Sequence, residues 1–217
     1  MKITKLLFLL SITACAFSVL ADEKVDYSFN LKNWNSTFKD GSSTSNTSNA
    51  SIISFTAKKD VFYITASAIL PATFHFNNGT YIDRRDTDVA FGWMANSNIS
   101  LLGGIKRASL TNYDYSGSNT SSTLSTFNVN YIGVNGFKSV NEKQFLFGTA
   151  TRSLNASRSR SGVKTTGLIY TTLETGFGHV LSKEAQLTVG YRFQDLKFPD
   201  GGSGKMSGLI FGANFNF

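Results

Sequence analysis

Residues 208–217, at the C-terminus of the chain, read GLIFGANFNF. Large apolar side chains occupy odd-numbered positions of this segment, at Leu209, Phe211, Phe215 and Phe217. Such a period of two is typical of a β-strand with one apolar face, because successive side chains point to opposite faces. Chain termini usually fray, so an aromatic last residue indicates an end that is either packed or recognised.

The period of two continues through the rest of the chain. Alternating segments lie at 89–93, 127–131, 169–177 and 187–193. In the second of these, Phe127, Val129 and Tyr131 alternate with polar asparagines. The pattern predicts strands that bury one apolar face and turn small or polar side chains to the other face.

Two kinds of connection alternate between these strands. Short charged turns are followed by new strands that start near residues 61, 99, 145 and 187, a repeat of about forty residues. Longer connections rich in Ser, Asn and Gly are predicted at 39–49, 75–83, 112–121, 155–163 and 197–205. The repeat predicts about ten strands, or eight if Trp34, which breaks the alternation of the first strand, marks an irregular hairpin. Pro71 and Pro199 are expected at strand ends or in loops.

The N-terminus has the composition of an export signal. Lys2 and Lys5 precede an apolar run over residues 6–20, which ends in a small-residue cleavage pattern at 19–21. These features predict a secretory signal peptide at 1–21 and a mature chain that begins at Asp22. Residues 12–15 also resemble a lipoprotein box, with Cys15 as the lipidated residue, and this remains an alternative.

Composition excludes several classes of function. Cys15 is the only cysteine, so a mature chain of residues 22–217 has no disulfide, thiolate metal site or cysteine nucleophile. The formal charge of +7 falls to +5 when Lys2 and Lys5 are removed, and the basic residues are scattered. The sequence therefore predicts no nucleic-acid partner, no metal and no cofactor.

The apolar faces can be buried in two ways, against a second sheet or against lipid in a closed barrel. Alternating short and long connections, charges on the polar face and a C-terminal amphipathic strand favour the barrel. The C-terminal segment resembles the assembly signal of Gram-negative outer-membrane β-barrels, which ends in Phe or Trp. That resemblance implies a closed, antiparallel, up-and-down transmembrane β-barrel over 22–217. It also implies contact with outer-membrane lipid and lipopolysaccharide, and recognition by the barrel-assembly machinery through Leu209, Phe211, Phe215 and Phe217.

A barrel of eight to ten strands is filled by its own side chains, so charges inside it are expected in pairs. Asp88 and Lys106 lie equally far from one short turn, and Glu174 and Arg192 lie equally far from another. The sequence therefore predicts two opposite-charge pairs inside the barrel. Arg158 and Arg160 are placed in an outer loop, as a possible contact with lipopolysaccharide phosphates.

For function, the sequence favours a structural or surface-interaction role without catalysis. A narrow porin is the alternative, and a lipid- or peptide-modifying enzyme at the rim is the second alternative, with His75, Asp83 and Asp86 as candidates. Asp86-Thr87-Asp88 resembles the paired aspartates of the omptin proteases. Thr73, however, stands where that family has an Asp two residues before its catalytic His.

Overall fold

A computed structural model describes residues 25–116 and 119–217, so the predicted signal peptide and Cys15 lie outside the described residues. Within these ranges the chain forms twelve strand elements. They are β1 (Asp26–Asp40), β2 (Ser43–Thr44), β3 (Ser48–Lys59), β4 (Phe62–His75), β5 (Tyr81–Met94), β6 (Ile99–Ser116), β7 (Asn119–Ser139), β8 (Gln144–Arg160), β9 (Val163–Thr166), β10 (Ile169–Val180), β11 (Ala185–Lys197) and β12 (Ser203–Asn216). In the described ranges, no helix is long and apolar enough to cross a membrane.

Ten of these strands form a closed antiparallel barrel. Each wall strand pairs with the next along the chain, and β12 pairs with β1 from Ser28↔Asn216 to Asp40↔Gly204. The short strands β2 and β9 extend hairpins at one end, where β2 pairs with β1 and β9 with β8. The barrel class and the count of ten strands are those that the sequence favours, and the alternative of eight strands is wrong. Trp34 does not interrupt β1, because its side chain points into the barrel and is fully buried.

The two ends of the barrel differ as the sequence predicts, although the loops are shorter than predicted. Tight turns at 60–61, 95–98, 140–143 and 181–184 define the short-turn end. At the long-loop end the wall strands continue into the predicted loops, so that β6 has 18 residues and β7 has 21. Cross-strand hydrogen bonds satisfy the backbone of these polar segments, which is why Ser, Asn and Thr are compatible with strand there.

Two β-bulges change which side chains point inward. In β4 the register shifts between Ile69 and Ala72, so both of these side chains lie inside although their sequence parity differs. Pro71 occupies the bulge within the strand, and the expectation that both prolines lie at strand ends or in loops is wrong for it. A bulge tolerates proline because its residue need not donate to the ladder. A second shift lies between Asn130 and Tyr131, where β7 pairs with β8.

The outside of the barrel is apolar only over part of its height. Exposed side chains such as Leu31, Phe91, Ile105 and Phe211 form an apolar band toward the short-turn end. Beyond it, toward the long-loop end, the outward residues become polar, for example Asn33 next to Leu31 on β1.

The sequence pattern assigned Phe127, Val129 and Tyr131 to the face that lipid covers, and this assignment is wrong. All three point inward and are 1–8% exposed, because the outward face of β7 is formed by its even-numbered residues, among them the exposed Ile132 and Val134. In this part of β7 the polar asparagines therefore face outward and the apolar side chains fill the interior. The barrel interior contains two apolar clusters, one around Trp34 and Phe74 and one around Phe127 and Val129.

Candidate functional site

A layer of charged and polar side chains crosses the interior and contacts both apolar clusters, since Arg84 donates to Met206 of one cluster and to Tyr170 of the other. The β5 sequence Arg84-Arg85-Asp86-Thr87-Asp88 supplies three of its members, because alternation turns residues 84, 86 and 88 inward and leaves Arg85 outside. Arg84, Asp86, Lys106 and Glu174 are only 3–8% exposed. We call this set, together with its hydrogen-bond partners, the lumen layer.

Arg84 and Asp86 form the most buried ion pair of the lumen layer. The Arg84 guanidinium donates from Nε and a terminal nitrogen to the two Asp86 carboxylate oxygens, at 2.9 and 2.6 Å. The same group also donates to the Tyr170 hydroxyl at 3.0 Å and to Gln194 Oε1 at 2.8 Å. Arg84 thus links β5 to β10 and β11 across the barrel, and its charge is matched by a bidentate partner.

The predicted pair of Asp88 and Lys106 is brought together at 3.2 Å. Lys106 also lies 3.9 Å from Asp86 and 5.4 Å from the centre of the Tyr170 ring. The hydroxyl of Tyr131 on β7 donates a hydrogen bond to the Asp88 carboxylate. Two carboxylates and a phenol therefore surround one ammonium group, which satisfies a charge that would be costly to bury alone.

The second predicted pair, Glu174 and Arg192, is brought together at 2.8 Å. Glu174 also accepts a hydrogen bond from Lys32 Nζ on β1, and the Arg192 guanidinium lies 5.2 Å from the Trp34 ring. Sequence reasoning missed Lys32, although it shares the inward parity of Trp34. It also missed Arg84, Tyr170 and Gln194, because no local pattern indicates a contact across the barrel.

The lumen layer separates two cavities. One cavity, of about 810 Å³, lies at the short-turn end and is lined by Tyr63, Asn135 and the turns at 96–98 and 183–184, among other residues. The other, of about 230 Å³, lies at the long-loop end. The two cavities share no lining residue, and a small apolar recess of about 20 Å³ beneath the second one ends against Arg84, Tyr170 and Gln194. Side chains that line a water-filled pore would be solvent-accessible, whereas Arg84, Asp86, Lys106 and Glu174 are buried between these two cavities.

Aromatic side chains fill the narrow interior next to glycines. The Tyr63 ring lies over Gly92 on the paired strand, 1.9 Å from where a Cβ would stand, and the Phe145 ring covers Gly178 in the same way. This explains why aromatic residues and glycines recur together in the sequence: a ring on one strand occupies the volume that a side chain on its neighbour would need.

The enzyme candidates do not converge. Asp86 lies inside the barrel and is paired with Arg84. Asp83, of opposite parity, accepts a hydrogen bond from Thr73 at 2.6 Å, and exposed His75 lies against the Tyr81 ring. In the described ranges there is also no group of three or more His, Asp or Glu residues that could hold a metal ion.

Arg158 and Arg160 do not lie in an outer loop, and the placement predicted from the sequence is wrong. Both belong to β8, which continues through the predicted loop, and both line the cavity at the long-loop end. Arg158 pairs in register with Phe127, which points inward. On the same strand, Arg152 is exposed and has the outward parity.

A closed antiparallel barrel with an apolar outer band and an ion-paired interior defines the class of transmembrane β-barrels. No protein-family model matches the chain, and no curated protein matches its sequence. Among solved structures, the outer-membrane protease OmpT of Escherichia coli is similar, with a TM-score of 0.61 and 12% identity over 91% of this chain and 98% of that one.

The translocator domain of the autotransporter NalP from Neisseria meningitidis is also similar, with a TM-score of 0.49 and 10% identity over 96% of this chain and 95% of that one. Neisserial surface protein A gives 0.45 and 9% identity over 90% and 100%. The closed ten-strand barrel and its likeness to OmpT, with a TM-score of 0.61, show that the chain has the fold of Gram-negative outer-membrane β-barrels.

Proposed function

We propose that this protein is a bacterial outer-membrane barrel that acts through its outer end, without catalysis and without conducting solutes. The lumen layer carries this proposal. Arg84, Asp86, Lys106 and Glu174 are buried and ion-paired in the middle of the barrel, so a solute has no continuous aqueous path. The hairpins at the long-loop end extend beyond the apolar band, so they are available to molecules outside the membrane.

The outer surface supports contact with lipid and lipopolysaccharide. The apolar band is suited to acyl chains. Arg85 on β5 and Arg107 on β6 point outward directly beyond this band, and both are exposed. Arg107 follows Ile105 by two residues, and Ile105 pairs with Val89 of β5. Neither arginine has an ion-pair partner in residues 25–116 and 119–217. We propose that these two arginines, rather than Arg158 and Arg160, bind lipopolysaccharide phosphates, because Arg158 and Arg160 line the cavity at the long-loop end.

A narrow channel is the second candidate function. The observation that favours it is that both ends of the barrel contain cavities, so that only the lumen layer separates them. An enzyme has less support. The likeness to the outer-membrane protease OmpT concerns the fold, and the three candidate residues His75, Asp83 and Asp86 do not share one face of the barrel.

The experiment that tests the proposal is conductance of refolded residues 22–217 in a planar bilayer. We expect no steps from the unmodified chain. Arg84→Ser removes the group that bridges three strands and is expected to admit small ions, whereas the matched variant Arg85→Ser changes an outward residue and is expected to stay silent. Steady, reproducible steps from the unmodified chain would contradict the closed lumen and favour the channel.

A further inference from the structure

The cavity at the long-loop end has the composition of a small binding site. We call it the mouth pocket. Its apolar wall is formed by aromatic and aliphatic side chains from β1, β6, β7, β11 and the loop after β11: Phe38, Leu110, Phe127, Leu196 and Phe198. Phe127 and Phe198 lie with ring centres 6.4 Å apart. Below this wall the small apolar recess reaches the lumen layer, so the pocket is closed at its base.

Arg158 is held against this apolar wall with unused hydrogen-bonding capacity. Its guanidinium carbon lies 4.6 Å from the centre of the Phe198 ring, within cation–π distance. Its Nε is buried and has no hydrogen-bond partner. No carboxylate in the described part of the chain lies within ion-pair distance of Arg158. A stacked guanidinium with free donors is suited to bind a planar anion such as a carboxylate.

The acidic residues of the mouth pocket limit the charge of the ligand. Asp40 and Asp200 line it together with Arg158 and Arg160. One Asp200 carboxylate oxygen accepts the backbone N–H of Gly202 at 3.1 Å, so this acid is partly engaged by its own loop. Two carboxylates disfavour a phosphate-rich polyanion, whereas a singly charged ligand can meet Arg158 alone.

We propose that the mouth pocket binds a small organic monoanion that carries an aromatic or apolar group. The carboxylate of such a ligand would pair with Arg158, and its apolar body would lie against the wall that Phe127 and Leu110 form with their neighbours. The volume of about 230 Å³ is below the roughly 300–1,000 Å³ typical of sites for drug-sized ligands, which restricts the ligand to a small one. This inference rests on the proposed function, because it supplies a ligand for the outer end of the barrel. It does not depend on whether the lumen conducts ions.

The test is calorimetric titration of the refolded protein, residues 22–217 in neutral detergent, with 2-naphthoate. We expect saturable binding that 2-naphthamide, the uncharged analogue, does not reproduce. Arg158→Gln should weaken binding by roughly tenfold or more, since it removes a charged hydrogen bond, while Arg152→Gln on the outward face of β8 should bind as the unmodified chain does.

Three results would overturn the proposal: no binding of 2-naphthoate, equal affinity for 2-naphthamide, or an Arg158→Gln variant that binds as before. Heat-modified migration of each variant on electrophoresis shows that it is folded. If Arg158→Gln does not fold, Asn112→Trp, which fills the pocket from its rim on β6, must abolish binding, and retained binding counts against the proposal. Conductance measured on the same preparation separates a failure of this site from a failure of the closed lumen.

Discussion

Glu174 is the acidic residue on which two cations inside the barrel depend. Lys32 and Arg192 both donate to it, and none of the three is close to another in sequence. The pair of Glu174 with Arg192 was predictable, because two residues equally far from a tight turn face each other across a hairpin. The contact of Lys32 with Glu174 was not predictable. Strands β1 and β10 are not neighbours in the sheet, so the two side chains meet only across the interior. The spacing of residues along the chain does not indicate which side chains meet there.

Replacement of Glu174 by Gln should strongly destabilise the barrel. The change keeps the side-chain volume but leaves Lys32 and Arg192 without a counter-charge, a situation that costs about 3–5 kcal/mol. The measurement is the urea midpoint of the protein in lipid vesicles. The control is Glu142→Gln, the same change at an exposed turn residue, which should leave the midpoint unchanged. Equal midpoints for both variants would show that the ion pairs contribute nothing.

Gly208 and Gly136 give a second matched comparison at this scale. A Cβ on Gly208 would stand 1.9 Å from the Asn35 carbonyl oxygen and 2.7 Å from Ser36 Cα, whereas one on Gly136 would meet nothing within 4 Å. Gly208→Ala therefore forces β12 and β1 apart. We expect it to reach or exceed the upper end of the roughly 1–3 kcal/mol that overpacking costs.

Gly136→Ala is expected to unfold at the same urea concentration as the unmodified chain. If the two alanine variants prove equally stable, the close approach of β1 and β12 at Gly208 does not determine the closure of the barrel.

At the scale of the element, the sequence predicts two roles for β12, closure of the barrel and recognition during assembly, and the structure shows the first of them. It closes the barrel against β1, and the backbone N–H groups of Phe217 and Tyr27 each donate to the carbonyl of the other, at 3.0 and 3.1 Å. The Phe217 ring, however, is 71% exposed. Its side chain therefore contributes little to packing within the barrel, which supports the proposal that the assembly machinery recognises it.

Phe217→Ala should separate assembly in cells from folding in the test tube. The variant keeps both backbone hydrogen bonds to Tyr27, so refolding into detergent is expected to proceed as before. In a Gram-negative host, the amount of folded barrel in the outer membrane should fall several-fold. Phe62→Ala removes another exposed phenylalanine at the short-turn end and should assemble normally. If Phe217→Ala refolds poorly in detergent as well, the residue is structural.

Strands β4 and β7 show where periodicity ceases to predict orientation. The alternation of β5 and β11 predicts the observed faces, because neither strand contains a shift of register. In β4 the bulge at Pro71 changes the inward-facing positions from odd-numbered to even-numbered residues. In β7 the apolar residue Ile132 faces outward, whereas Tyr131 and Val129 face inward. The first change depends on a local backbone irregularity. The second depends on which parity of β7 faces outward, and that is set by the pairing of β7 with β6 and β8 rather than by the apolar residues of β7 alone.

For the whole molecule, the alternation of turns and loops predicted ten strands and two different ends, because connections on the same side of an up-and-down barrel share a length class. The closed lumen was only an expectation from barrel size. The proposal of a closed lumen is supported by side-chain contacts among β1, β5, β6, β10 and β11, which form only when the barrel closes. The mouth pocket was not predictable either, because it requires that β8 continue as a strand past residue 155 and turn Arg158 inward.

The predicted orientation is testable by labelling single cysteines, because residues 22–217 contain none of their own. Asn77→Cys lies in the connection between β4 and β5 at the long-loop end, and Ser97→Cys lies in the tight turn between β5 and β6; both positions are exposed. In intact cells, a membrane-impermeant maleimide should modify Asn77→Cys and leave Ser97→Cys unmodified. After the outer membrane is permeabilised, both should react. The reverse pattern would place the mouth pocket on the periplasmic side and deprive it of extracellular ligands, whereas labelling of both cysteines in intact cells would show that the barrel does not separate the two compartments at all.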